Sequence, residues 1–197
     1  MYKYVGILFC ILLFSCQSEK KKFEINGEVI GKGYENEIIY LVPLKGATAE
    51  TVDSTYIKNG RFHFSVSLDS SDIRIIRTRP ILRLKLEELL VVTEAGTVQV
   101  VLDSVSRAKG TPLNNLLQEW KEKKTESDRK RNELSFTRSE NKDSVALKKD
   151  LLKTERNFSE YNYSFVKENK NNIVGQFVFG ITKGLFSPEE LQDIEEL

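Results

Sequence analysis

The chain has 197 residues, 40% of them hydrophobic and 10% aromatic, enough apolar material for one core or two small ones and too much for wholesale disorder. Its 30 Lys and Arg against 29 Asp and Glu leave a net charge of +1, which argues against a nucleic-acid binder that relies on bulk charge. One His and two Cys exclude most metal and thiol chemistry.

Val5 to Phe14 is an unbroken apolar run behind Lys3. At 1.5 Å per residue it covers only about half of a roughly 30 Å hydrocarbon core, so residues 1–15 read as a secretory leader and not as a membrane-spanning helix. The run ends in Leu13-Phe14-Ser15-Cys16, which resembles the lipobox of bacterial lipoproteins. That resemblance implies a diacylglyceryl thioether on the Cys16 sulfur, cleavage before Cys16 and acylation of the new amine. The alternative is an ordinary secretory leader with an incidental cysteine. With Cys10 discarded and Cys16 lipidated, the remaining chain carries no free thiol, no disulfide and no C-x-x-C pair. Residues 16–22 become a lipidated tether, whose Lys20-Lys21-Lys22 either lies against anionic headgroups or is simply solvated.

From Phe23 to about Gly110 the pattern has period two, with turn residues between the runs. Phe23 to Ile30 alternates up to the Gly31-Lys32-Gly33 loop, and Ile38 to Val42 is a more fully apolar strand that stops before Pro43. Val52 to Ile57 and Phe62 to Val66 flank Lys58-Asn59-Gly60-Arg61, which predicts a hairpin with a type I′ turn. His63 falls on the polar face of the second arm and reads as solvent-exposed, with no metal partner.

Ile73 to Thr78 and Ile81 to Leu86 are further strands, separated at Pro80. Arg74, Arg77, Arg79, Arg83 and Lys85 make either a cationic stripe for an anionic ligand or, the favoured reading, the solvated and aggregation-resistant face of an antiparallel sheet. Leu89 to Thr93, Glu94-Ala95-Gly96 and Thr97 to Leu102 predict a second hairpin whose first arm is buried. Seven to nine short strands at this spacing predict an antiparallel β-sandwich-like domain over 23–110, in preference to an open barrel.

Residues 111–197 read as helical, so the fold class expected is α+β. Thr111 suits an N-cap with Pro112 at the first helical position, and Leu113, Leu116, Leu117 and Trp120 share one face. Lys121 to Glu133 is nearly all polar and should project into solvent, with a turn over Ser135 to Asn141. The returning helix carries a heptad stripe, Leu147, Leu151, Thr154, Phe158, Tyr161 and Phe165, able to pack on the outgoing helix or on a partner chain. After a loop at Asn169 to Asn172, Ile173 to Gly180 is a short apolar helix. Ser187-Pro188-Glu189-Glu190 is a capping box that opens the last one.

Several stretches in this order resemble one family: Phe23-Glu24-Ile25-Asn26-Gly27-Glu28-Val29, Ile39-Tyr40-Leu41, Val52-Asp53-Ser54 with Asn59-Gly60-Arg61-Phe62, Leu90 to Gly96, and Lys109-Gly110-Thr111-Pro112-Leu113-Asn114. They look like the uncharacterised β-rich N-terminal domain of Bacteroidota-type lipoproteins. That domain usually precedes a thioredoxin-like TlpA/AhpC domain, joined by helices similar to Phe165 to Leu197. In the longer relatives a W-C-x-x-C-type active site follows these helices. Nothing follows Leu197 here and the thiol pair is absent, so the redox activity does not transfer.

The function expected is a membrane-anchored, non-catalytic binding or assembly module of the cell envelope, lipidated at Cys16 and held on the outer or inner membrane, facing the periplasm. Its expected partners are the membrane and either a thioredoxin-like protein or an anionic ligand, with no nucleic acid and the oligomeric state left open. The alternative is a docking partner or truncated remnant of a thioredoxin-like disulfide reductase system. An enzyme would have to use Asp53-Ser54, Asp69 to Asp72 or Asp103-Ser104, which read better as turns. No P-loop, G-x-S-x-G, H-E-x-x-H or G-x-G-x-x-G motif is present, so no catalytic, cofactor or metal residue is expected.

Overall fold

In the first strand, β1 (Lys22–Val29), Phe23, Ile25, Gly27 and Val29 are buried while Lys22, Asn26 and Glu28 are exposed, so one face of the strand is core and the other wet. The computed structural model describes residues 21–78, 88–140 and 145–196. Within them β2 (Ile38–Pro43), β3 (Asp53–Tyr56), β4 (Arg61–Ser67) and β5 (Asp72–Thr78) precede β6 (Leu89–Thr93), β7 (Gly96–Leu102) and β8 (Arg107–Lys109). The helices are α1 (Pro112–Glu140), α2 (Val145–Asn169), α3 (Ile173–Thr182) and α4 (Pro188–Glu196), with a 3-10 turn at Lys183–Leu185.

The strands form two four-stranded sheets, ordered β4-β1-β7-β8 and β3-β2-β5-β6, and the fold is α+β. Every pairing is antiparallel except that of β1 with β7, which is parallel. The core between the sheets is dry: Phe23, Ile25, Ile39, Leu41, Ile76, Leu89 and Val98 are all at 0% exposure. Each such side chain contributes about 1.5–3 kcal/mol on burial. A second core lies on the far side of the β5–β6 sheet, where Ile73 and Val92 meet Leu117, Trp120, Phe165, Val174 and Val178 from the helices.

Helix α1 closes the open side between the two sheets with carboxamides. Asn114, 1% exposed, accepts from Val92 N (2.9 Å) and donates to Val92 O (2.7 Å), acting as a surrogate strand along the edge of β6. One turn on, the Gln118 side-chain oxygen accepts from Ala108 N on the edge strand β8 (3.1 Å). Two sheet edges that would otherwise be templates for foreign strands are thereby occupied.

Several sequence expectations need correction. The turn at Asn59-Gly60 is present, with φ of 52° and 69° and reciprocal backbone bonds between Lys58 and Arg61, but its arms diverge into different sheets. Leu89 to Leu102 is not a hairpin either: β6 pairs with β5 and β7 with β1. The reason is burial. Leu89 and Val91 face the inter-sheet core and Leu90 and Val92 the helices, whereas β7 keeps Gln99 in water, so the two runs suit different sheets. Strand β2 runs through Pro43, which pairs with Arg74 as the strand's last residue, and β8 has no counterpart among the strands read from sequence.

The turn expected over Ser135 to Asn141 is displaced, because α1 continues to Glu140. Thr111 precedes α1 as expected, but its hydroxyl accepts from Asn114 Nδ2 (2.8 Å). The helix N-terminus is capped instead by Glu94, whose Oε1 accepts from Leu113 N (2.7 Å) and Asn114 N (3.1 Å). At α4 the capping box forms, with Ser187 N donating to Glu190 and Glu190 N to Ser187 Oγ. The expected leader, Cys16 and the expected strand Ile81 to Leu86, with Pro80, Arg79, Arg83 and Lys85, lie outside the described residues.

Candidate functional site

Because α1 to α4 pack on the β5–β6 side, the outward face of the β4-β1-β7-β8 sheet remains in solvent. Its side chains fall into rows set by the register. One row crosses from His63 on β4 to Asn26 on β1, Gln99 on β7 and Lys109 on β8. The next crosses from Arg61 through Glu28 and Val101 to Arg107. Strands about 4.8 Å apart make each row a line of side chains at near-constant spacing.

Over these rows lies an open trough of about 720 Å³, walled on one side by Tyr56 and Lys58 at the β3–β4 turn. Beneath the trough, on the core face of the sheet, Gly27 leaves room for the buried Phe62 ring, which any Cβ there would strike. His63 Nδ1 donates to Asn26 Oδ1 across the strands (3.1 Å), which orients both groups. The Tyr56 ring is 55% exposed. The trough therefore offers an imidazole, two carboxamides, one carboxylate, two cations and an aromatic face on a rigid sheet.

A smaller cavity of about 280 Å³ lies between α1 and α2, lined by Lys123, Lys130, Asn157 and Tyr161 among others. The buried Tyr161 hydroxyl has no hydrogen-bond partner there. Its pKa is pushed up to about 12, first by burial and then by the carboxylates of Glu119 and Glu168. The phenol therefore stays protonated at neutral pH.

The residues singled out in the sequence are dispersed. His63 is exposed as expected and lies in the trough. Arg74 is engaged by Asp53 (2.7 Å) and Asp72 (4.0 Å), and Arg77 by Glu88 (3.6 Å), so the two described members of the basic stripe are drawn into ion pairs. Asp103 accepts from Val105 N and pairs with Arg107, a turn role. The Val105 N–H first, then Arg107, holds its carboxyl below the ordinary value. Cys16 lies outside the described residues. Among the described residues no group of three or more His, Cys, Asp or Glu is arranged to hold a metal ion, and no helix is long and apolar enough to cross a membrane. The trough itself escaped the sequence reading, because it exists only once β1, β4 and β7 are in register.

Residues 23–117 match a family model described as a domain of unknown function, DUF4369, and no thioredoxin-domain family is detected. The matched span runs from β1 to the second turn of α1, the stretch over which the motif resemblance runs. No curated protein and no solved structure matches the chain.

Proposed function

We propose that this chain, whose residues 23–117 match DUF4369, is a lipoprotein of the cell envelope that acts as a non-catalytic binding or assembly module, with the trough as its ligand face. The observation that carries the reading is Leu13-Phe14-Ser15-Cys16 behind the apolar run Val5 to Phe14. Acyl chains on Cys16, at about 0.8 kcal/mol per buried CH₂, hold the protein on the outer or inner membrane, with the fold facing the periplasm. The tether is short. Five residue steps from Cys16 to Lys21 reach at most about 18 Å at roughly 3.3–3.6 Å each, so the sheets stay close to the headgroups.

Metabolic labelling with a palmitate analogue tests the anchor. The wild-type chain takes the label and Cys16→Ser does not; equal labelling of the two refutes the reading.

A further inference from the structure

We propose that the trough binds an acidic oligosaccharide, laid across the strands along the His63–Asn26–Gln99 row, with a sugar ring against Tyr56. This deepens the reading of the chain as a binding module and rests on it.

β1 and β7 are interior strands with partners on both sides, so their main-chain groups are committed to the sheet. A peptide strand could add through its backbone only at the β4 edge, so over β1 and β7 recognition falls to side chains. Gln99 presents a donor and an acceptor on one planar group, Asn26 presents its Nδ2 donors while its oxygen holds His63, and the far edge of the His63 ring adds another polar atom. Sugar hydroxyls also donate and accept at once, so a row of such groups at strand spacing pairs with a row of hydroxyls. Tyr56, more than half exposed at the trough wall, supplies the apolar surface on which the C–H face of a sugar ring packs.

Charge decides the kind of saccharide. Lys58 and Arg61 line the trough against a single carboxylate, Glu28, and among the described residues no ion pair engages either cation. Carboxylate-bearing sugars complement that surplus, and the attraction weakens with salt.

The test is calorimetric titration of the full chain, purified from whole-cell lysate with detergent present throughout, with tetragalacturonate and with cellotetraose as an uncharged counterpart. Tetragalacturonate is expected to bind about tenfold more tightly than cellotetraose at low salt. Asn26→Ala and Gln99→Ala should each weaken it several-fold to about tenfold, the range of one lost hydrogen bond. Lys58→Ala with Arg61→Ala should erase the preference for the acidic ligand, while Lys130→Ala, away from the trough, changes nothing. All five positions are exposed surface, and a circular dichroism melt confirms that each variant folds. Absence of binding by either saccharide, equal binding of both, or binding that survives Asn26→Ala and Gln99→Ala overturns the proposal. Labelling at Cys16 reads the anchor independently, so either result can fail without the other.

Discussion

In the two sheets, Phe23, Ile25, Ile39, Leu41 and Val98 are wholly out of water, each packed against residues far away in sequence. In the outer part of the helical hairpin, Lys121 to Thr137 of α1 include no buried residue at all, and between Val145 and Tyr161 of α2 only Thr154 is buried. That part is held by near neighbours along the helix: Lys124 with Asp128, Arg129 with Glu133 (2.7 Å), and Arg131 with Asp128 (3.2 Å). One region stands on non-local apolar burial, the other on helix propensity and exposed ion pairs worth a few tenths of a kcal/mol each. Stability is therefore unevenly shared, and the outer hairpin belongs to the part that opens first.

Three substitutions put this contrast to the test. The largest effect is expected at Ile25, in the middle of the interior strand β1. Ile25→Ala removes buried methyls from a dry core and should cost about 2–5 kcal/mol, read as a lower denaturation midpoint for the whole protein. A cost confined to a local event would mean that the sheets are not one cooperative unit.

An intermediate effect is expected where the hairpin meets the body. Asn162, at 0% exposure, accepts from Trp120 Nε1 (2.8 Å) and donates to Phe158 O (2.7 Å). Asn162→Ala leaves the indole N–H buried without a partner, at about 1–3 kcal/mol. Trp120 is the chain's one tryptophan, so its fluorescence reports the change directly. An unaltered spectrum and midpoint would show that the polar pair contributes nothing.

The smallest effect is expected at Lys124→Ala, which removes a half-exposed i,i+4 pair and should cost less than about 0.5 kcal/mol. Hydrogen exchange should meanwhile find amides of 122–137 exchanging much faster than those of β1 and β7. Comparable protection in both regions would erase the distinction drawn here.

Much of this architecture was legible in the chain. Period two located most of the strands, because a half-wet sheet imposes it, and Ser187 with Glu190 announced the last helix, because a capping box is local. What could not be read was which strand joins which sheet. One partner of β1 is β7, some seventy residues on, and nothing local marks that pairing. A clue did exist: Leu89-Leu90-Val91-Val92 is apolar throughout, whereas Thr97-Val98-Gln99-Val100 alternates, and a strand covered on both faces does not belong beside one with a wet face. The cap on α1 was hidden for the same reason, since Glu94 precedes the helix it serves by almost twenty residues. His63 could be assigned to the exposed face from alternation alone, but its neighbours in the trough come from β1 and β7 and required the register.

The place of β1 also has a mechanical consequence. Seven residue pairs bind it to β4 on one side and seven to β7 on the other. A pull applied at its N-terminal end, along the strand, cannot unzip these ladders one bond at a time; it must shear both together. Any tug transmitted from a support through the preceding residues thus meets the fold at its most resistant point, leaving the trough's rows undisturbed until the whole sheet yields.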